Sequence, residues 1–203
     1  MTCSKYVYDK DLKFHQQGSW TLKSYRDQWQ HWASRTPNSL YNQLLHFLDG
    51  TGVTKDKELS FICCAEAARS GHHDAVLAMG WYYLNGVGVD RDIEGAEIWY
   101  KKSAHQGDTR AMYSLGYIAY QQRDDAKALK WFKRASKKGH HRSVYWIGKL
   151  YWHGRYVGQD KVKAMQLFNQ AANKNAYEAQ RTLNWFDRIL AKRRAKVGRH
   201  KNK

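Results

Sequence analysis

Residues Asp74–Gly107 read DAVLAMGWYYLNGVGVDRDIEGAEIWYKKSAHQG, and this stretch decides the fold. Ala75, Met79, Tyr82, Tyr83 and Leu84 recur at helical spacing, and a Gly-rich turn follows. Ala96, Trp99, Tyr100, Ser103 and Ala104 then repeat the pattern. Each segment fits a helix with one apolar stripe, and neither helix buries that stripe alone. Neighbours are needed, and the chain supplies them by repeating itself.

The repetition extends in both directions. Gly80 recurs as Gly116 and Gly148, in steps of 36 and 32 residues. Trp99-Tyr100 recurs as Trp131-Phe132 and then as Leu167-Phe168, and Gly107 as Gly139, with Asn175 in the same place further on. The shorter step falls in the loop Gln121–Asp125. Looking backward, Asp49–Val53 matches Asn85–Val89, and Ile62–Gly71 matches Ile98–Gly107. The expected organisation is a capping segment (1–37), repeats at 38–73, 74–109, 110–141 and 142–176, a partial unit at 177–187 that ends after its first helix, and a basic tail (188–203). A capping helix is expected from about Thr21 to Ala33, carrying Tyr25, Trp29 and Trp32 over the otherwise open end. The last helix is expected to continue to about Ala195, with disorder beyond it.

The string A-x-x-x-[LM]-G-x-x-Y, then G-x-G-V-x-x-D, then A-x-x-W-[YF]-x-[KR]-[SA]-[SA]-x-x-G resembles the Sel1-like repeat, a relative of the tetratricopeptide repeat, over about three quarters of the chain. The middle unit lacks the glycine turn, and Leu44 and Asn184 stand where Gly80 would recur at the two ends, where capping units depart from the pattern. The resemblance implies an all-α fold, a right-handed superhelical solenoid of antiparallel helix pairs that binds other proteins on a concave surface lined by the first helices. By alignment that surface carries Asn42, Leu45, Ala78, Trp81, Asn85, Ser114, Tyr117, Trp146, Lys149 and His153. Aromatics and a lysine in a groove suit a partner segment with both apolar and acidic character. The competing reading is that Trp81 and Trp146 only pack between helices.

Composition narrows the classes. The chain has 203 residues, one proline, three cysteines and a formal charge of +17. No run approaches the ~18 apolar residues of a membrane span, and the first residues hold no apolar signal segment. An odd cysteine count without framework spacing favours a reducing, cytoplasmic setting. The positive field favours an acidic partner: an acidic protein first, with nucleic acid or a ribosome as the alternative and peripheral contact with an anionic membrane as a third. Lys130, Lys133, Arg134, Lys137, Lys138 and Arg142, together with Lys192, Arg193 and Arg194, are the candidate anion-binding residues.

Nothing points to catalysis. No triad, paired carboxylate or zinc motif is visible, and neither a cofactor nor a metal is expected. His72-His73 and His140-His141 lie two repeats apart, too far to share an ion held within ~2–2.5 Å of its ligands. Cys63 and Cys64 sit about 100° apart around a helix, so one is expected inside and one near the surface. The Gly86–Gly88 spelling follows a helix, which argues against a phosphate loop. Asp124 and Asp125 are expected to be solvated. The expected function is a non-catalytic protein-binding adaptor, its partner's identity and its oligomeric state being open.

Overall fold

Four aspartates at steps of 36, 32 and 36 residues start the second helix of every hairpin. Asp56, Asp92, Asp124 and Asp160 each accept a hydrogen bond, at 2.8–3.0 Å, from the backbone N–H three residues on. Such a cap is worth about 1 kcal/mol against alanine, and its charge faces the positive end of the helix dipole. The computed structural model describes residues 36–52 and 54–201, with side chains as far as residue 191. Among the described residues there are nine helices and no strand. They are α1 (Pro37–Asp49), α2 (Lys57–Arg69), α3 (His73–Asn85), α4 (Ile93–His105), α5 (Thr109–Gln121), α6 (Asp125–Lys137), α7 (His141–His153), α8 (Lys161–Ala172) and α9 (Tyr177–Lys201). The fold is an all-α repeat solenoid of four helix hairpins and a further helix.

Packing divides the chain between Gly107 and Asp108 into two compact bodies. In the first, α1 pairs with α2 and α3 with α4, while α2 also packs on α3. Phe61 stands edge-on to Tyr82 and Tyr83, with ring centroids 5.8 and 5.5 Å away, and Leu44, Val76 and Met79 are also buried. The Ser60 hydroxyl donates to the Leu44 carbonyl at 2.8 Å and also bonds the Tyr82 hydroxyl, tying three helices at one buried point.

In the second body, α5 pairs with α6 and α7 with α8; α6 packs on α7, and α8 on α9. Its core is Ala119, Ala128, Leu129, Phe132, Ile147 and Leu150, flanked by half-buried Tyr113, Tyr117, Tyr120 and Trp146. A second cluster, Val144, Ala171, Ala176 and Ala179, carries the core onward to α9. Each large side chain buried in this way is worth ~1.5–3 kcal/mol, which supplies what a lone amphipathic helix lacks.

Three expectations change. Cys63 and Cys64 are both buried, because α2 is covered by α1 on one side and α3 on the other. Burial pushes the Cys64 thiol far above the usual range, and its Sγ donates to the Ala75 carbonyl at 3.4 Å, so a thiolate role is closed to it. Asp125 is mostly covered, because Arg155 from the turn after α7 pairs with it, whereas Asp124 caps α6 and stays exposed as expected. Beyond Ala195 the chain stays helical to Lys201, since Lys, Arg and Ala are good helix formers and cations suit a helix C-terminus. The expected capping helix near Thr21–Ala33 lies outside the described residues.

Candidate functional site

The position of charge separates the two bodies more sharply than anything in the packing. Before Asp108 the sequence holds twelve Lys/Arg and twelve Asp/Glu; from Asp108 onward it holds twenty-three and six, so the whole formal +17 belongs to the second body. A charge asymmetry of this kind points the search for an anionic partner to that body.

On the first helices of the second body, one side chain organises the face. Lys149, on α7, is half-buried, with its Nζ 4.6 Å from the Trp146 ring centroid, 5.7 Å from that of Tyr120 and 6.0 Å from that of Tyr145. Tyr145, Trp146 and Lys149 share one face of α7 because they are spaced by one helical turn, and Tyr120 reaches the group from α5. No carboxylate among the described residues pairs with this ammonium. Burial, and then the charge of Arg155, hold its pKa below the usual lysine range. A lysine held against aromatic faces gains cation–π attraction, but its lost hydration is not repaid by an acid.

Around Lys149 the other cations are already engaged. Arg155 donates from Nε to Asp125 at 2.8 Å and from its terminal nitrogen to the Tyr120 carbonyl at 3.1 Å, with its guanidinium 3.9 Å from the Tyr120 ring centroid. Arg142 pairs with Glu178 and lies 5.3 Å from the Tyr113 ring centroid. His153 is exposed at the end of α7; its pKa is lowered by partial burial and by Lys149 and Arg155.

Trp146 does not stand out as a free anchor. Its ring is stacked on Phe132 with centroids 6.0 Å apart, meets Tyr117 at 5.2 Å and Tyr120 at 4.8 Å, and its Nε1 donates to the Tyr113 hydroxyl at 3.2 Å. It shapes the floor under Lys149. Ser114 turns its hydroxyl back to the Arg110 carbonyl, while Tyr117 accepts from Gln121 at the rim.

In the first body the expected row splits differently. Trp81 and Leu45 are each 40% exposed and available to a partner. Asn42 is exposed and Ala78 is partly covered, while Asn85 donates to the Trp81 carbonyl at 2.8 Å. His72 caps α3 by accepting from the Ala75 N–H through Nδ1, and its ring stacks on Tyr41 at 4.3 Å. His140, at the matching place, caps nothing; its Nδ1 meets the Ser143 hydroxyl at 2.9 Å and its ring lies 4.8 Å from that of Tyr113. These histidines are structural. Among the described residues no group of three or more His, Cys, Asp or Glu is placed to hold a metal ion, and no helix is long and apolar enough to cross a membrane.

His140 and His153 also make the second body sensitive to acid. Burial is the first cause of the lowered pKa of His140, followed by Arg142 and His141; Asp108 and Glu178 oppose it more weakly. A histidine depressed in the folded state binds fewer protons there than in the unfolded chain, whose histidines titrate near ~6.5. The stability it contributes is therefore present above that value and lost as pH falls through the folded pKa. The urea midpoint is expected to be lower at pH 5.5 than at pH 7.5, and the difference to shrink in His140→Gln with His153→Gln. A midpoint that stays level or rises on acidification contradicts this.

Of the other candidate anion-binding residues, Lys130, Lys133, Arg134 and Lys137 are exposed on α6 and Lys138 at its C-cap, whereas the side chains of Lys192, Arg193 and Arg194 lie outside the described residues.

Sequence comparison matches the Sel1 repeat family at residues 45–72, 73–108, 109–140 and 141–175. Among solved structures, the chain is similar to a Sel1 repeat protein from Oxalobacter formigenes. Identity is 27% and the TM-score 0.68, covering 77% of this chain and 67% of that one. It is also similar to a protective antigen of uropathogenic Escherichia coli strains displaying an SLR fold, with 30% identity and a TM-score of 0.65 over 73% of this chain. This chain spans about a third of that antigen's length, 33%. No functionally curated protein matches the sequence.

Proposed function

Because the chain belongs to the Sel1 repeat family, whose helix-hairpin arrays are non-catalytic protein-interaction scaffolds, we propose that its second body captures an acidic segment of another protein. The capture face is the one bearing Tyr117, Tyr120, Lys149 and His153. The observation that carries the reading is Lys149: a half-buried ammonium among three aromatic faces, with its pKa held down and no carboxylate beside it. An incoming Asp or Glu would form a charge-assisted bond in a partly desolvated setting, where such bonds are strongest. The flanking tyrosines would cover an apolar residue next to that acid, in the manner of buried aromatic anchors at interfaces. The surplus positive charge of this body would speed the encounter. A reducing compartment suits the free thiols of Cys63 and Cys64 among the described residues.

A random peptide library displayed on phage and selected on the full chain tests this without a known partner. The expected winners place an acidic residue beside an aromatic or aliphatic one. Lys149→Met, which keeps the stem and removes the charge, is expected to weaken them about tenfold. Winners without acids, or affinity indifferent to Lys149→Met, would reject the reading.

A further inference from the structure

The turn between α7 and α8 contains a tyrosine where the repeat uses glycine. Tyr156 occupies the place held by Gly52 and Gly88 in the first two hairpins, where φ is +76° and +66°. Tyr156 adopts the same left-handed conformation, φ +60°, and its side chain is 69% exposed. A bulky side chain at positive φ is a backbone outlier, and strain of this kind survives where something other than stability retains it. Nothing in the core explains the ring.

What lies beside it is the basic face of α6. Lys127, Leu129, Lys130, Lys133 and Tyr156 line an open groove of about 620 Å³, with Asp124 at one end, its carboxylate committed to the α6 cap. Arg134, Lys137 and Lys138 extend the row. From Ala126 to Gly139 the sequence has six cations and no acid, and Lys130, Lys133, Lys137 and Lys138 pair with no carboxylate among the described residues.

We propose that the α6 face and Tyr156 form a binding site for single-stranded nucleic acid, distinct from the Lys149 face, with the lysine row holding backbone phosphates and the Tyr156 ring stacking on a base. A positive track with an exposed aromatic at its edge is the arrangement that holds single strands without sequence preference. Protein interfaces are depleted in lysine at their centres and need apolar anchors, and the outward face of α6 offers in that class only Ala126 and the half-buried Trp131, whose ring is covered by the Arg134 guanidinium 5.4 Å from its centroid. An anionic membrane would call for a row of inserted apolar side chains, which Tyr156 and a Trp131 ring covered by Arg134 do not supply. Turn strain accepted at Tyr156 is then the cost of placing one ring over the phosphate track.

Fluorescence anisotropy of the full chain with a labelled oligothymidylate, read across a salt series, tests the site. Tyr156→Gly is expected to raise the melting temperature, because glycine relaxes the turn, while weakening binding about tenfold. Opposite signs on stability and affinity are not what a merely structural residue gives. Lys130→Glu with Lys133→Glu and Lys137→Glu is expected to abolish most binding and to flatten the log–log salt slope by about 2, at ~0.7 for each phosphate no longer neutralised. Polyglutamate of equal charge and phosphatidylserine vesicles serve as competitors and are expected to displace the oligonucleotide poorly. The proposal is overturned by unchanged affinity in Tyr156→Gly, by unchanged binding in the triple variant (the basic tail then suffices), or by equal displacement by either competitor.

Discussion

Gly116→Leu is expected to destabilise the second body by about 3 kcal/mol or more, at the upper end of what overpacking costs. In an isolated helix the change would be favourable, since glycine is about 1 kcal/mol worse than alanine there. Here a Cβ on residue 116 would stand 2.6 Å from two ring carbons of Phe132, and that ring is fully buried with no room to retreat. The same close approach pairs Gly80 with the Tyr100 ring and Gly148 with Phe168. Hairpin one shows the alternative solution: Leu44 takes the glycine's place and Cys64 the aromatic's, and both are buried. Small and large have changed sides. Adding Phe132→Cys to Gly116→Leu is therefore expected to recover much of the loss in a urea titration. If the single variant is as stable as the parent, or the double variant is no better than the single, reciprocal filling is not what holds the hairpins closed.

Arg155→Ala is expected to cost about 2–3 kcal/mol, the range for losing hydrogen bonds to a charged group and stranding its partner. One guanidinium holds the turn after α7 to the other hairpin of its body, through Asp125 at the start of α6 and through the carbonyl and ring of Tyr120 at the end of α5. Both partners of the pair are mostly covered, with side chains 15% and 17% exposed, so solvent screens them little. Arg155→Lys is expected to rescue poorly, because an ammonium cannot reproduce the planar fork. Asp125→Ala combined with Arg155→Ala should cost less than the two single changes added together. Simple additivity would show that the pair is not coupled.

The fold was legible because its signal is periodic. Gly80, Gly116 and Gly148 mark close helix approaches that only a repeat explains, and Tyr100, Phe132 and Phe168 fill the spaces opposite them. The buried cysteines were less legible, since a 100° offset separates an inside residue from an outside one only when a helix has a single covered face, and α2 has two. Asp56, Asp92, Asp124 and Asp160 were legible in principle: their spacing equals the repeat length, and each precedes an apolar-periodic segment. The candidate site was legible only as a set of positions, not as packing or role. Alignment brought Tyr117, Trp146, Lys149 and His153 onto neighbouring first helices, yet only the packing shows Trp146 under Lys149 rather than beside a partner. Arg155 and Tyr156 replace Val87 and Gly88 of the second hairpin. That substitution was visible, but what it does depends on α5 and α6, which no local pattern places.

Backbone amide and lysine side-chain NMR spectra of the full chain, recorded while a selected acidic peptide is added, test the central claim most directly. Shifts are expected to concentrate at Tyr117, Tyr120, Lys149 and His153, with the Lys149 pKa rising as a carboxylate joins it. Shifts confined to the α6 lysines or to α9, with Lys149 unmoved, would contradict it.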